Sequence, residues 1–121
     1  MPIPVLVVDD EPDFLLTMSS VLGRKGFIVK TAATTADAVK LVDVQVFDFA
    51  LVDLKIGDES GVALVRELKR RQPKLHAVMV TGYPTDETRD EAQQSGADSY
   101  IAKPVALGEL LHAFASAVRP T

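Results

Sequence analysis

FALVDLKIGDESG, residues 49–61, joins four apolar residues directly to an acid. Phe49, Ala50, Leu51 and Val52 read as a strand buried on both faces, since a short unbroken apolar run fits the interior of a parallel sheet. Asp53 follows with no spacer, just ahead of a segment that must turn. Taken alone, an Asp there is an ordinary turn residue. Its meaning depends on what stands at the equivalent places along the chain.

Four further apolar runs flank this one, so five strands are expected: Ile3–Val8, Phe27–Thr31, Asp48–Val52, Leu75–Thr81 and Ser99–Ala102. Helical spacing fills the gaps. Phe14, Leu15, Met18, Val21 and Leu22 mark a first helix, and Ala38, Val39 and Val42 a second. Val62, Val65 and Leu68 mark a third. Leu107, Leu110, Leu111, Phe114 and Val118 form the clearest stripe. The fourth helix, in TDETRDEAQQS at 85–95, has Ala92 as its single apolar residue, so it should sit on the surface and be loosely held. Pro12 suits a first helical turn, Gly26 and Gly96 suit helix C-caps, and Pro73 ends the third helix. Strand and helix therefore alternate five times, which implies a parallel sheet with helices on both faces. In such sheets, sites form beyond the carboxyl ends of the strands.

Composition narrows the classes. The chain has 121 residues, 47% of them hydrophobic and 25% charged, enough for one domain with one core. A net charge of −4 gives no electrostatic case for nucleic acid or an anionic membrane. The basic run Arg66, Lys69, Arg70 and Arg71 reads as a solvated helix end. The absence of cysteine excludes disulfides, thiolate metal sites and a thiol nucleophile. No stretch reads as a transmembrane span or signal peptide, so a cytoplasmic location is expected.

The strand ends carry the chemistry. Asp9, Asp10 and Glu11 follow the first strand, Asp53 the third, Thr81 closes the fourth, and Lys103 and Pro104 follow the fifth. Each has a bland reading as a cap, a turn or a solvated tip. Together they would set several carboxylates, a hydroxyl and an ammonium in one crevice. Carboxylates so close resist ionisation unless a cation joins them. Oxygen ligands and an incomplete protein cage point to magnesium, which shares its ligands with phosphate. This donor set suits phosphoryl transfer to a carboxylate.

At this point the chain resembles the receiver domains of two-component response regulators, of the chemotaxis-regulator type. LVVDDEPD at 6–13, LVDLKIGDESG at 51–61, VMVTGY at 78–83 and DSYIAKP at 98–104 carry the resemblance, which runs from about Val5 to Val118. It implies a flavodoxin-like doubly wound five-stranded parallel sheet of order 2-1-3-4-5, with residues 1–121 as a single receiver domain. It further implies Asp53 as phosphoacceptor and Mg2+ as cofactor, held by Asp9, Asp10, Asp53 and the backbone carbonyl of Lys55. Thr81 would swing toward the phosphoryl group, Lys103 would contact it, and Tyr100 would be the aromatic switch. A cis bond between Lys103 and Pro104 and a helix-entry role for Gly61 also follow. Lys55 and Tyr83 match the positions that tune phosphoryl lifetime in the family; the bland alternative is that both side chains simply point to solvent.

The implied donor is a histidine kinase or histidine phosphotransfer protein. The implied output is a partner or effector domain bound through the fourth helix, fifth strand and fifth helix. The implied assembly is a monomer or a phosphorylation-dependent dimer. Either a stand-alone regulator or a receiver from a larger regulator or hybrid kinase fits. Departures from the family pattern are Gly57, where proline is common, suggesting a more mobile loop; Val105, where a bulky aromatic is common; and Gly108 inside the last helix, costing about 1 kcal/mol against alanine.

Three other classes fit less well. A phosphorylation-independent interaction module would have lost an acid or the lysine, and none is lost. An aspartyl phosphatase would place its nucleophile after the first strand with a second acid two residues on, and the nearest pattern, Asp9-Asp10 with Pro12, does not fit. A flavin-binding domain would need a hydroxyl- and glycine-rich loop there. His76 and His112 are too far apart in sequence to read as a metal or catalytic pair.

Overall fold

The computed structural model describes residues 2–118. The side chain of Val118, the last member of the expected stripe, and the chain end at 119–121 lie outside the described residues.

Five strands, β1 (Ile3–Val8), β2 (Phe27–Ala32), β3 (Phe49–Asp53), β4 (His76–Thr81) and β5 (Ser99–Ala102), form one sheet in the order β2-β1-β3-β4-β5. All four pairings are parallel. The helices α1 (Pro12–Arg24), α2 (Thr35–Val44), α3 (Gly61–Arg71), α4 (Asp86–Ser95) and α5 (Leu107–Val118) alternate with them. A two-residue ribbon, Lys55–Ile56 against Glu59–Ser60, sits between β3 and α3. This is the expected doubly wound architecture. The strand bounds shift by a residue at β2, β3 and β4, and at β3 the shift matters. Asp53 is itself the last strand residue, in register with Val80, so the sheet fixes its backbone directly.

Alternation along the strands divides the core in two. Val5, Val7, Leu51, Val78 and Val80 face α1 and α5, where they meet Met18, Leu22, Leu110 and Phe114. Leu6, Val8, Ala50, Val52 and Met79 face the other way, toward Ala38 and Val42 of α2 and Leu64, Val65 and Leu68 of α3. The central strands are thus buried on both sides, as their unbroken apolar runs require. Phe49 stacks on Phe114 with centroids 4.0 Å apart and ties β3 to α5.

Helix ends follow their capping residues. Thr34 caps α2, Ser60 caps α3, and Thr85 with Thr88 makes a capping box on α4. Lys25 closes α1, with Gly26 beyond it at φ +92°, and Gly96 closes α4 at φ +91°. Among the side chains of α4, only Ala92 and Ser95 are buried. Gln72 follows α3 and spends its amide on α2. Its Oε1 accepts from the Phe47 N–H at 3.0 Å, and its Nε2 donates to the carbonyls of Val42 and Gln45, each at 2.8 Å.

The segment after Asp53, where Gly57 suggests a more mobile loop, folds into a short ribbon. Gly57 and Asp58 form the tight turn of the ribbon, and Gly57 sits at φ +59°. That conformation is open to glycine and closed to proline, so the glycine serves the turn. Ile56, beside it, is 1% exposed and anchors the ribbon in the core.

Candidate functional site

β1, β3, β4 and β5 end side by side, and each delivers polar groups to a crevice of about 590 Å³. Asp10, Asp53, Lys55, Thr81, Tyr83 and Lys103 all line it. Asp9 lies just beneath, fully buried. Carboxylate oxygens of Asp9, Asp10 and Asp53 all lie within 4.8 Å of one another. Five of the expected residues, Asp9, Asp10, Asp53, Thr81 and Lys103, therefore gather at one place from four strands.

Lys103 is the hub. Its ammonium donates to Asp9 Oδ2 at 2.7 Å, Glu11 Oε1 at 3.1 Å and Asp53 Oδ2 at 3.2 Å. It also stands 4.5 Å from the centre of the Phe14 ring, a cation–π distance. The Lys103–Pro104 peptide bond is cis. Asp9 Oδ1 accepts the Glu11 N–H at 2.9 Å, which fixes the carboxylate at the start of α1.

The charges strain against one another. Burial, and after it the negative charge of Asp9, push Asp53 from its ordinary 3.8 up to about 6, while Lys103 opposes the rise. Burial alone would lower Lys103. Its bonds and charges from Asp9, Asp53 and Glu11 outweigh that and hold the ammonium above its ordinary range. One lysine thus serves three carboxylates, and Asp10 is left to solvent. Such a cluster accepts a hard divalent cation readily, because oxygen donors are in place and their mutual repulsion is only partly relieved.

Thr81 is 3% exposed, and its Oγ1 accepts the Tyr83 N–H at 3.0 Å. Tyr83 itself is 82% exposed on the crevice rim, with Lys55 also exposed there. The Lys55 N–H lies 3.5 Å from Asp53 Oδ1. Tyr100 stands apart from the crevice. Its hydroxyl bonds Thr88 Oγ1 at 2.8 Å, and the Arg89 guanidinium lies 5.6 Å from its ring centre.

Gly61 fixes the backbone behind Asp53. Its N–H donates to the Leu54 carbonyl at 2.8 Å. A Cβ there would fall 2.0 Å from the Asp53 carbonyl oxygen and 2.8 Å from that of Leu54, so only glycine fits.

Some partners escaped the sequence reading. Glu11 was only the third acid of a run, yet it binds Lys103. Phe14 was a core position, yet its ring faces the ammonium. Thr88 could have been found, since its spacing from Thr85 is that of a capping pair. Asp98, partner of Lys69 at 2.8 Å and of the Ala77 N–H at 2.9 Å, leaves no local signal. His76 opens β4 and meets Ser99 Oγ at 3.0 Å, while His112 is exposed on α5. A second concavity, about 610 Å³, opens at the amino ends of β3 and β4. Phe47, Phe49, Pro73 and Leu75 make it mainly apolar, and among the described residues Asp48 is the one carboxylate on its lining.

Comparison with known proteins agrees with this geometry. The chain is 35% identical over 114 residues to the response regulator protein PilR of Pseudomonas aeruginosa, covering 94% of this chain and 26% of PilR. It is 32% identical over 109 residues to the photosynthetic apparatus regulatory protein RegA of Cereibacter sphaeroides, covering 90% of this chain and 59% of RegA. The chain thus spans between a quarter and three fifths of these relatives. Among solved structures, a receiver domain (CheY-like) from Methanospirillum hungatei superposes with a TM-score of 0.89 at 31% identity, covering 96% of this chain and 93% of that one. A response regulator from Burkholderia pseudomallei, solved with a phosphorylated aspartic acid, a calcium ion and citrate, superposes with a TM-score of 0.88 at 36% identity, covering 93% of this chain and 66% of that one. Residues 5–115 match the response regulator receiver domain as a family, and with five β-α units ending in a shared acidic crevice, this chain belongs to that family of two-component signalling domains.

Proposed function

We propose that residues 1–121 act as a single phosphoacceptor receiver unit in which Asp53 takes a phosphoryl group from a phosphohistidine donor. The observation that carries this reading is the sharing of Lys103 among Asp9, Glu11 and Asp53 at the end of a buried strand. Such a cluster is poorly satisfied alone and suited to receiving a further cation and an anionic group together.

The donor would be a histidine kinase or a histidine phosphotransfer protein. An Asp53 carboxylate oxygen attacks phosphorus in line. The bond from phosphorus to the donor imidazole nitrogen breaks, and the electron pair leaves with the imidazole. An acyl phosphate remains on Asp53. Asp9, Asp10, Asp53 and the Lys55 carbonyl would hold the divalent cation. Magnesium fits best, because it keeps waters and readily shares ligands with phosphate. When bound, that cation would neutralise charge on the phosphoryl oxygens. Lys103 does the same from the other side, and its three present acceptors leave it positioned for this.

Thr81 then turns its hydroxyl toward the phosphoryl group. Tyr100 gives up its bond to Thr88 and moves inward, altering the face made by α4, β5 and α5 for a partner or effector domain. The shallow seating of α4, with Ala92 and Ser95 its buried side chains, supports this choice of face. Inverting a population of about 1:99 takes about 5.5 kcal/mol of differential interaction, within reach of a doubly charged group meeting a cation, a lysine and a hydroxyl. Lys55 and Tyr83 shield the acyl phosphate from water and lengthen its life. The unit catalyses only its own phosphorylation and dephosphorylation, acts in the cytoplasm, and is a monomer or a phosphorylation-dependent dimer. Among the described residues, no helix is long and apolar enough to cross a membrane.

Incubation with a small acyl-phosphate donor and magnesium, followed by intact mass, tests the assignment. The wild type should gain one phosphoryl group and Asp53→Ala none. Equal labelling of both would overturn it.

A further inference from the structure

The ribbon beyond Asp53 is clamped to a helix that takes no part in the crevice. Glu59 reaches 24 positions back along the chain to Thr35, the first residue of α2. Its Oε1 accepts the Thr35 N–H at 3.1 Å, and its Oε2 accepts the Thr35 hydroxyl at 2.8 Å. A first-turn N–H has no acceptor within its own helix, and the positive end of the helix dipole favours a carboxylate. Thr34 meanwhile caps the same end by accepting the Asp37 N–H at 3.1 Å. The two sources of capping are complementary: one is local, and the other is supplied by the ribbon.

The clamp bears directly on the crevice. Glu59 lies opposite Ile56 in the ribbon, and Lys55 lies opposite Ser60. Ile56 holds one strand of the ribbon from below, in the core. Glu59 holds the other strand from the side. Lys55, between Asp53 and Ile56, is exposed and lines the crevice; its N–H points to Asp53 Oδ1 at 3.5 Å, and it pairs with Ser60 across the ribbon. Its placement therefore depends on the ribbon as well as on the end of β3. The bonds from the Thr35 N–H and then its hydroxyl keep the Glu59 carboxyl below the usual carboxylate range, in keeping with an ionised clamp.

We propose that Glu59 is a positioning residue for the Asp53 site: by binding the start of α2 it fixes the ribbon that holds Lys55 at the crevice wall, and so sets how fast the acyl phosphate is lost to water. This rests on Asp53 being the phosphoacceptor. In the step concerned, a water oxygen attacks phosphorus and the bond from phosphorus to the Asp53 carboxylate oxygen breaks. The carboxylate leaves with the electron pair, and the water proton passes to the released phosphate or to solvent. Lys55 held over this approach obstructs the water. Lys55 on a loose ribbon does not.

The test loads the protein with an acyl-phosphate donor and magnesium, removes the donor, and follows loss of the acyl phosphate by intact mass. Glu59→Gln keeps the side chain's size and drops its charge and one acceptor. It should shorten the lifetime about fivefold, well inside the roughly 100-fold that a 1 Å misplacement can cost. Thr35→Val removes the hydroxyl partner alone and should shift the lifetime less, in the same direction. In a Lys55→Ala background, adding Glu59→Gln should change nothing further, which a general loosening of the fold would not reproduce. An unchanged lifetime in Glu59→Gln overturns the proposal, as does an equal shortening with and without Lys55. A wild type that takes no phosphoryl group at all overturns the phosphoacceptor reading, and this inference with it.

Discussion

The two ends of the sheet use the same residue types to opposite effect. At the amino end, Lys69 binds Asp98 at 2.8 Å and the Leu75 carbonyl at 2.7 Å, while Asp98 also accepts the Ala77 N–H. Gln72 makes three bonds there, each to a separate backbone group. Supply and demand for hydrogen bonds are matched, so these groups hold structure together and do little else. At the carboxyl end, Lys103 faces three carboxylates and Asp53 is pushed up to about 6. Demand exceeds supply. The contrast teaches that an ion pair's partners, rather than its presence, separate a structural pair from a reactive site.

That contrast can be broken most forcefully at Lys103. Lys103→Ala leaves Asp9 fully buried beside Asp53 without a cation, and should lower metal-free stability by about 3 kcal/mol, as removal of one member of a buried pair does. Added magnesium or calcium should restore most of this in thermal unfolding. A loss that persists unchanged with saturating cation would mean that the carboxyl end is structural after all.

The next test acts at the other end. Gln72→Ala removes three bonds to backbone groups, two of them in the turn closing α2, and should cost about 2 kcal/mol in denaturant unfolding. Here divalent cations should recover nothing, and phosphoryl labelling of Asp53 should persist. Rescue by a cation would erase the distinction between the two ends.

The smallest effect is the pH dependence of the crevice. A carboxyl whose folded pKa is raised binds its proton more tightly in the folded state, so its contribution favours folding at low pH. For Asp53, that contribution is present below about 3.8 and is lost as pH rises to about 6. Metal-free stability should therefore carry a decline across that window, about 1 kcal/mol once solvent screening at the crevice mouth is allowed for. Asp53→Asn should remove this decline in pH-resolved unfolding, whereas Asp98→Asn should leave it in place.

Much of this contrast is legible in the sequence. The unbroken apolar runs identified central strands, and alternation with helical stripes implied strand ends that converge. That was enough to bring Asp9, Asp10, Asp53, Thr81 and Lys103 together. The amino end was far less legible. Gln72, Asp98 and Lys69 act across 21 to 30 positions of sequence, and single polar residues leave no periodic trace of such pairing. Gly57 is a related case. Its local meaning is freedom, and the ribbon pairing and the Glu59 bond to Thr35 arise from residues that the glycine alone does not reveal. The fourth helix read correctly as sparsely apolar, and its capping box explains how so polar a segment stays helical.

Gly61 carries a consequence for anyone who maps this protein by mutation. With the Asp53 carbonyl oxygen 2.0 Å from where a side chain would begin, every substitution displaces the strand end or the start of α3. In a saturation screen scored on signalling output, position 61 would rank beside the acids while donating no proton, charge or ligand. A scan of tolerance would therefore outline the site one residue too large, with a purely steric member among the chemical ones.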